Sequence, residues 1–421
     1  MTVRDSVSAL LVAAAFVSSW NAVAVAGIQP VDLLLAGAFA LSALYLAGGE
    51  IPWVPGWARA GTACVLVVIV THVLFPMGEA YMSRRFIYVP FFVTPGAQGA
   101  VENGAVRGLK WLLAALLLPV LVAETARGKP EVLSRIANAW LAGIGVSALV
   151  AVTDLLDITS INLALIVLGG ASERQAGLAL HPNHLGLAVA LAVPLAIRLT
   201  LRSRVKGVLV LLILGAGAIV SGSRQGQAAF ALATIATLAW TARALRIVPV
   251  LMLALGISVT AIIGLRPDLV AKTESFFRFG SASRSVMQSN EERSALAEQA
   301  ISDFSQRPLD GIGLEVIAQA HNIYLQLVAS GGLILAAGIL YYFAGVLAAG
   351  YAERNSPDPL GACLMITVLV WLAAGAFGNQ LTDRYLYFPV AVLAGLELSR
   401  VRAARHARQV RLASRPISVN A

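Results

Sequence analysis

The stretch of sequence from residue 322 to residue 350 reads NIYLQLVASGGLILAAGILYYFAGVLAAG and contains no charged residue. A helix needs about 20 apolar residues to cross the hydrocarbon core of a bilayer. Apolar runs of similar length recur from the first residues of the chain to Arg400. Because a helix satisfies all its backbone hydrogen bonds within one segment, the sequence predicts an all-α, polytopic membrane protein.

The composition agrees with this fold class. Apolar residues make up 58% of the 421 residues, charged residues make up 13%, and the mean hydropathy is +0.79. A soluble domain averages about 45–50% apolar and about 25% charged residues. These values exclude a soluble globular protein, a disordered chain and a disulfide scaffold. The two cysteines lie inside apolar runs, where we expect them to be packing residues.

Twelve apolar runs are candidate spans. They lie near residues 7–27, 31–49, 61–79, 106–124, 133–153, 184–200, 205–221, 226–242, 247–265, 322–350, 359–378 and 385–400. The first run follows Arg4 and lacks a small-residue cleavage pattern, so we expect a retained span rather than a signal peptide. The predicted organisation is helices 1–9 in residues 1–265, a large loop in 266–320, helices 10–12 in 321–400, and a basic tail in 401–421.

The basic residues indicate the orientation. The net charge is +9, and a group of arginines lies in the C-terminal tail: Arg400, Arg402, Arg405, Arg408, Arg411 and Arg415. Such a tail is typical of the cytoplasmic end of a membrane protein. We therefore expect membrane lipids, and no nucleic acid, as partners of the protein. With both termini in the cytoplasm, most basic residues of the short loops also fall inside. The loop 266–320 then lies on the outer face.

The outer loop has helical signals of its own. Residues 289–292 (Ser-Asn-Glu-Glu) read as a capping box that begins a helix. An apolar stripe follows at helical spacing, formed by Leu296, Ala300, Ile301 and Phe304. Pro308 and the Gly-Ile-Gly turn at 311–313 end it.

Polar side chains next to apolar runs are the candidate functional residues of a membrane protein. On this topology five segments place such residues on the outer face. They are Arg174 with Gln175 and 181–184; Arg224; Arg293; His321 with Asn322; and Asn379 with Asp383 and Arg384. Because all five lie on one side of the membrane, we expect a one-sided site there.

Arg224 is the most informative of these residues. It lies between two apolar runs, with Gly222 and Gly226 beside it and no acidic neighbour in sequence. Two roles explain this placement. The guanidinium of Arg224 could bind a phosphate with two parallel hydrogen bonds, or the side chain could extend to the lipid headgroups. Arg174 has Glu173 as an alternative partner, and Arg293 lies beside two glutamates on the loop helix.

His321 follows the loop directly and opens the tenth run. A helix N-terminus disfavours the imidazolium, so the ring is suited to accept a proton as a general base, although capping is the simpler role. His181 and His184 have no carboxylate cluster that would complete a metal site. The sequence contains no P-loop, nucleotide-binding glycine motif or paired-acid cluster. An outward-facing group of arginines therefore best matches a lipid-linked phosphate or diphosphate.

Several motifs resemble the bacterial O-antigen ligase and polymerase superfamily. The segment 321–325 (His-Asn-Ile-Tyr-Leu), with Gly331-Gly332, is similar to the family's His-Asn-x-x-Leu…Gly signature. The order Arg174…Gly177…Pro182-Asn183 is similar to its Arg-x-x-Gly…Pro-Asn segment. Ser223-Arg224 resembles its Ser-Arg-x-Gly element, and Arg293 with 308–313 resembles its large outer loop. The resemblance covers most of residues 165–390.

The resemblance implies a membrane glycosyltransferase of the GT-C type in the bacterial inner membrane. Its site would face the periplasm. The donor would be O-antigen polysaccharide on undecaprenyl pyrophosphate, and the acceptor would be the lipid A core oligosaccharide. Transfer would be inverting, with His321 as the base and Arg224 and Arg174, with Arg293, binding the pyrophosphate. We expect sugar contacts from Asn322, Tyr324 and Asp383, and no metal or other cofactor.

The sequence leaves three alternative functions open. An O-antigen polymerase would use another lipid-linked glycan as the acceptor. A protein O-oligosaccharyltransferase shares the loop histidine but usually carries more sequence after it. A lipid-linked glycan flippase or transporter would place charges on both faces and in mid-span, where this sequence has almost none.

Overall fold

A computed structural model describes residues 2–23, 28–46, 52–82, 104–165, 174–240, 284–314, 320–378 and 380–413. Every regular element in these ranges is helical, which confirms the predicted all-α class. The helices are α1 (Val3–Val17), α2 (Pro30–Leu46), α3 (Gly56–Leu74), α4 (Gly104–Leu112), α5 (Leu118–Ala126), α6 (Glu131–Leu155), α7 (Pro182–Arg202), α8 (Arg204–Val220), α9 (Arg224–Trp240), α10 (Arg284–Gln306), α11 (Ile323–Ala352), α12 (Leu360–Ala374) and α13 (Tyr387–Ala413). A π-helical turn, Leu113–Leu117, joins α4 to α5, and shorter helical turns are Glu79–Met82, Ile161–Leu165, Gly375–Phe377 and Arg384–Leu386.

Six helical segments within the described ranges are long and apolar enough to cross a membrane. They are Gly56–Leu74, Gly108–Ala126, Glu131–Leu155, Pro182–Arg202, Ile323–Ala352 and Leu360–Phe377. A helix overlaps each of the other predicted spans except 247–265, which lies outside the described residues. The protein is therefore a membrane protein with several apolar helices, and the count of twelve spans stays a prediction.

Helix α7 is the centre of the bundle. It packs against α6, α8, α9 and α12, and its side chains from Leu185 to Ile197 are all buried. The backbones of α7 and α9 touch near their N-termini, because a Cβ atom at Gly226 would lie 2.6 Å from the carbonyl carbon of Gly186. Glycine at these two positions lets the two helices begin side by side.

Helix α11 is interrupted by two glycines. Gly331 and Gly332 have non-helical dihedral angles, and Gly332 has a φ of 57°, in the region that glycine adopts without strain. The backbone groups around the break bond instead to the loop turn of residues 308–313. Ile312 N donates to Ala329 O (2.9 Å), Gly313 N to Ser330 O (3.0 Å), Leu333 N to Pro308 O (2.9 Å) and Ile334 N to Leu309 O (3.1 Å). These four bonds fix the end of the loop to the first part of α11.

The loop helix differs from its prediction in two respects. Helix α10 begins at Arg284, before the capping box at 289–292 that was expected to start it. Leu296 and Ala300 are buried as expected, whereas Ile301 is 57% exposed. Helix α10 packs against α11, and the exposed Ile301 lies off this contact.

The end of α7 far from the loop is held by a buried ion pair. Arg198 is 2% exposed and donates to both carboxylate oxygens of Asp358, at 2.7 and 2.6 Å. Arg202 contacts the same carboxylate at 2.8 Å. Asp358 precedes α12, so this group joins α7 to α12 at the end of the bundle where the sequence predicts the cytoplasm.

Candidate active site

The polar segments singled out from the sequence meet at one end of the bundle. Helices α7, α9 and α11 begin at this end, and α8 and α12 end there. The charges of four residues from three of these segments act on the His181 ring. Together with His181 they form a group that we call the histidine–arginine cluster: Arg174, His181, His184, Arg293 and His321. The rings of His181 and His184 have centroids 6.2 Å apart.

Arg174 joins three segments of the site. Its Nε donates to Ser221 O at 3.0 Å, and its Nη2 donates to Asn183 Oδ1 at 2.7 Å. Gly222, with a φ of 55°, packs against the aliphatic part of Arg174, and a Cβ there would lie 3.3 Å from Arg174 Cγ. The arginine is therefore held in place between the turn that precedes α9 and the first turn of α7.

Arg224 is the first residue of α9 and its side chain is exposed. The helix start is formed by Ser223, whose Oγ accepts from Gly226 N at 3.1 Å. Within the described part of the chain, no hydrogen bond or ion pair of the Arg224 guanidinium is found. The unpaired N–H groups of a helix N-terminus add positive potential. This position is consequently electropositive and accessible.

His321 and Asn322 begin the helix that follows the loop. Asn322, not His321, is the N-cap of α11: its Oδ1 accepts from Tyr324 N at 2.9 Å and from Leu325 N at 3.1 Å. The same amide donates through Nδ2 to Ala376 O at 3.1 Å. His321 has a φ of 48° and precedes this N-cap, so it lies outside the helix. The expected capping role therefore belongs to Asn322.

The His321 ring is biased towards its neutral form. Burial is the main cause that lowers its pKa from the ordinary value of 6.5, and Arg293 lowers it further, while Glu292 acts in the opposite direction. The sequence predicts a neutral ring from the helix N-terminus. The structure gives the same direction from burial and from an arginine of the loop helix. Arg293 is exposed on α10 and interacts with both His321 and His181.

Asp383 contacts the cluster, and Tyr324 lies in the first turn of α11, which follows His321. Asp383 Oδ2 lies 3.4 Å from His184 Nδ1. Tyr324 donates its hydroxyl to Leu372 O at 2.6 Å and remains 37% exposed. Asn379 was also singled out from the sequence and lies outside the described residues.

Asn21 is a member of the site that sequence reasoning missed. Leu180 N donates to Asn21 Oδ1 at 2.6 Å, which directs the Asn21 amide nitrogen at His184 Nδ1, 3.0 Å away. Because Nδ1 accepts this bond, its contact with Asp383 Oδ2 is not a hydrogen bond, and Oδ2 has no donor among the described residues. Asn21 is 163 positions from His184, and nothing in the local sequence links them.

Arg384 is taken up by a structural ion pair. Its Nε lies 2.9 Å from Oδ1 of Asp32, at the start of α2. The two partners are 352 positions apart in sequence. Arg384 therefore ties α2 to the turn before α13.

Part of the chain matches a known protein family. Residues 208–342 match the O-antigen ligase family model. The match confirms the resemblance found in the sequence and implies a glycosyltransferase-like membrane enzyme. The comparison with curated proteins gives no match.

The family segment runs from α8 through α9 and α10 into α11. It includes Arg224, Arg293 and His321, and with them Asn322 and Tyr324. Arg174, the residues 181–184 and Asp383 lie outside it and reach the same end of the bundle through contacts with α9 and α7. Among the described residues, no group of three or more His, Cys, Asp or Glu side chains could hold a metal ion.

Proposed function

We propose that this protein is an O-antigen ligase. It transfers O-antigen polysaccharide from undecaprenyl pyrophosphate to the lipid A core oligosaccharide, by a GT-C-type reaction on the periplasmic face of the inner membrane. The observation that carries the proposal is the histidine–arginine cluster. It combines a neutral-biased histidine with arginines at one end of a membrane bundle, inside and beside an O-antigen ligase family segment.

The arginines are suited to hold the pyrophosphate of the donor. Arg224 is exposed at a helix N-terminus, and Arg174 and Arg293 lie in the cluster. A guanidinium matches a phosphate with two parallel hydrogen bonds, and it keeps its charge at every pH of interest. Three such groups neutralise the charge that develops as the pyrophosphate leaves. Stabilisation of this kind is usually the largest catalytic contribution, so the proposed reaction needs no metal ion.

The transfer proceeds as a single displacement with inversion. An acceptor hydroxyl of the core oligosaccharide attacks the anomeric carbon of the donor, and His321 takes the proton of that hydroxyl. The new C–O bond forms as the bond from the anomeric carbon to the phosphate oxygen breaks, and the electron pair leaves with the pyrophosphate. General-base catalysis of this type contributes about 10²–10⁴-fold. Asn322, Tyr324 and Asp383 border the site and contact sugar hydroxyls.

The proposed topology places both termini in the cytoplasm and the loop 266–320 in the periplasm. The ion pair of Arg198 and Arg202 with Asp358 supports this orientation, since it lies at the end of α7 opposite the cluster. Basic residues concentrate on the cytoplasmic side of membrane proteins.

An O-antigen polymerase is the second candidate, because the family segment supports the ligase and polymerase superfamily as a whole. The two enzymes share the donor and the chemistry and differ in the acceptor. A deletion of the gene followed by a lipopolysaccharide gel separates them. Loss of a ligase removes all laddering, leaves the core band and lets lipid-linked O-antigen accumulate. A null strain that shows core plus one repeat unit would instead identify a polymerase, and a strain with an unchanged ladder would refute both.

A further inference from the structure

His181 occupies the N-cap of α7 in an uncommon way. Its Nδ1 accepts a hydrogen bond from the backbone N–H of Asn183 at 3.1 Å. A backbone N–H is always a donor, so Nδ1 carries no proton. The single remaining ring proton is therefore on Nε2. The two ring nitrogens point in nearly opposite directions, and the Nε2–H consequently points away from the helix end that Nδ1 caps.

The surroundings of the ring keep it neutral. Burial is the main cause that lowers the pKa of His181 to about 3, and the charges of His184, Arg174, His321 and Arg293 act in the same direction. Protonation would also break the bond to Asn183, because both nitrogens would then be donors. His181 is thus a hydrogen-bond donor without charge over the whole physiological range of pH.

Asn183 joins the His181 ring to Arg174. Its backbone N–H holds His181, and its side-chain Oδ1 accepts from Arg174 Nη2 at 2.7 Å. The charges of Arg174, His321 and Arg293 all act on the His181 ring. A hydrogen-bond donor in such electropositive surroundings is complementary to an anionic oxygen.

We propose that His181 contacts the substrate directly, donating its Nε2–H to a phosphate oxygen of the leaving pyrophosphate. The proposal rests on the proposed function and adds a residue to that reaction. A hydrogen bond to the attacking hydroxyl oxygen would make it a poorer nucleophile, so the useful place for this donor is the leaving side. Because the ring is neutral, it adds a donor without a further positive charge next to Arg174.

Two variants of the full-length protein separate this role from capping. Serine caps helices well through its hydroxyl oxygen, yet it is too short to reach the position of Nε2. His181→Ser therefore keeps the cap and removes the donor, whereas His181→Ala removes both. Both variants lose the packing of the ring, and only His181→Ala also loses the cap, so we expect His181→Ala to unfold at a lower temperature than His181→Ser. Ligation with lipid-linked O-antigen and rough lipopolysaccharide should show kcat reduced at least about tenfold in both, with the acceptor KM unchanged.

The contradicting result is a His181→Ser variant with the kcat of the parent, which would leave His181 as a cap only. A parent protein that transfers nothing from the lipid-linked donor would overturn the proposed function and this role together. Nitrogen-15 spectra of histidine-labelled protein test the tautomer without any activity. We expect a neutral, Nε2-protonated ring for His181 that does not titrate between pH 5 and pH 8, and a ring that titrates in this range would refute the argument.

Discussion

Replacement of Arg224 by alanine is the most direct test of the proposed donor site. The guanidinium is exposed and has no partner within the described residues, so its removal should change the free energy of unfolding by less than about 0.5 kcal/mol. Its whole effect should then appear in catalysis. A charge-assisted bond to phosphate contributes about 1.5–3 kcal/mol, which corresponds to a loss of roughly 10- to 100-fold in kcat/KM for the lipid-linked donor. Arg224→Lys should recover little, since an ammonium cannot reproduce the planar fork.

The assay is glycan transfer by purified protein at varied donor concentration, after equal membrane levels have been shown. Arg204 provides a matched control, because it is also an exposed arginine that opens a helix, α8, at the opposite end of the bundle. Arg204→Ala removes the same charge and should leave donor kinetics unchanged. Equal kinetics of Arg224→Ala and the parent, or equal losses in both variants, would refute the assignment of Arg224 to the pyrophosphate.

Five further outcomes are expected. His321→Ala should lower ligation by about 10²-fold or more while donor binding stays nearly intact, and loss of donor binding would contradict the role of base. The base must be unprotonated and its pKa is lowered by burial and Arg293, so the acidic limb of kcat/KM should lie below pH 6.5; a limb above that value speaks against His321. Gly332→Ala should destabilise the protein by at least about 1–2 kcal/mol, because φ is 57° and the new Cβ would lie 2.3 Å from the carbonyl carbon of Leu309; thermal unfolding measures this. Activity should survive EDTA, and recovery only with Mg²⁺ or Mn²⁺ would show a metal requirement. A cysteine at Ser285, in a background without the two native cysteines, should react with an impermeant maleimide in intact spheroplasts, and reaction only after lysis would invert the topology.

The fold class was predictable because hydropathy is a local property of the chain. The apolar run at 322–350 forms α11, and the runs at 205–221 and 226–242 form separate helices that end at Val220 and begin at Arg224. The break inside α11 was not predictable. Its two glycines permit the break. The hydrogen bonds that replace the helical ones come from the turn at 308–313, which lies in the preceding loop, and the hydropathy of the apolar run does not reveal this pairing.

The candidate site was also predictable only in part from the sequence. Arg174, Arg224 and His321 are visible in the sequence because polar residues beside apolar runs are conspicuous. Their partners are not visible, since Asn21 reaches His184 only through the packing of α1, α6 and α7. His181 was noted in the sequence as part of the polar segment 181–184 and as half of an incomplete metal pair. Its tautomer depends on a single backbone bond that only the three-dimensional structure reveals.

The joint between the loop turn and the broken helix α11 constrains how enzymes of this kind can be recombined. Its four backbone bonds have their donors and acceptors divided between residues 308–313 and residues 329–334. A chimera with its boundary between these two segments would take the turn from one protein and the broken helix from another, so their backbone groups need not pair. Each buried group left unpaired would cost about 1–3 kcal/mol. A loop transplanted from another protein should therefore carry both segments. The exchangeable unit then extends through His321 to residue 334, and the outer loop cannot be exchanged apart from the proposed base.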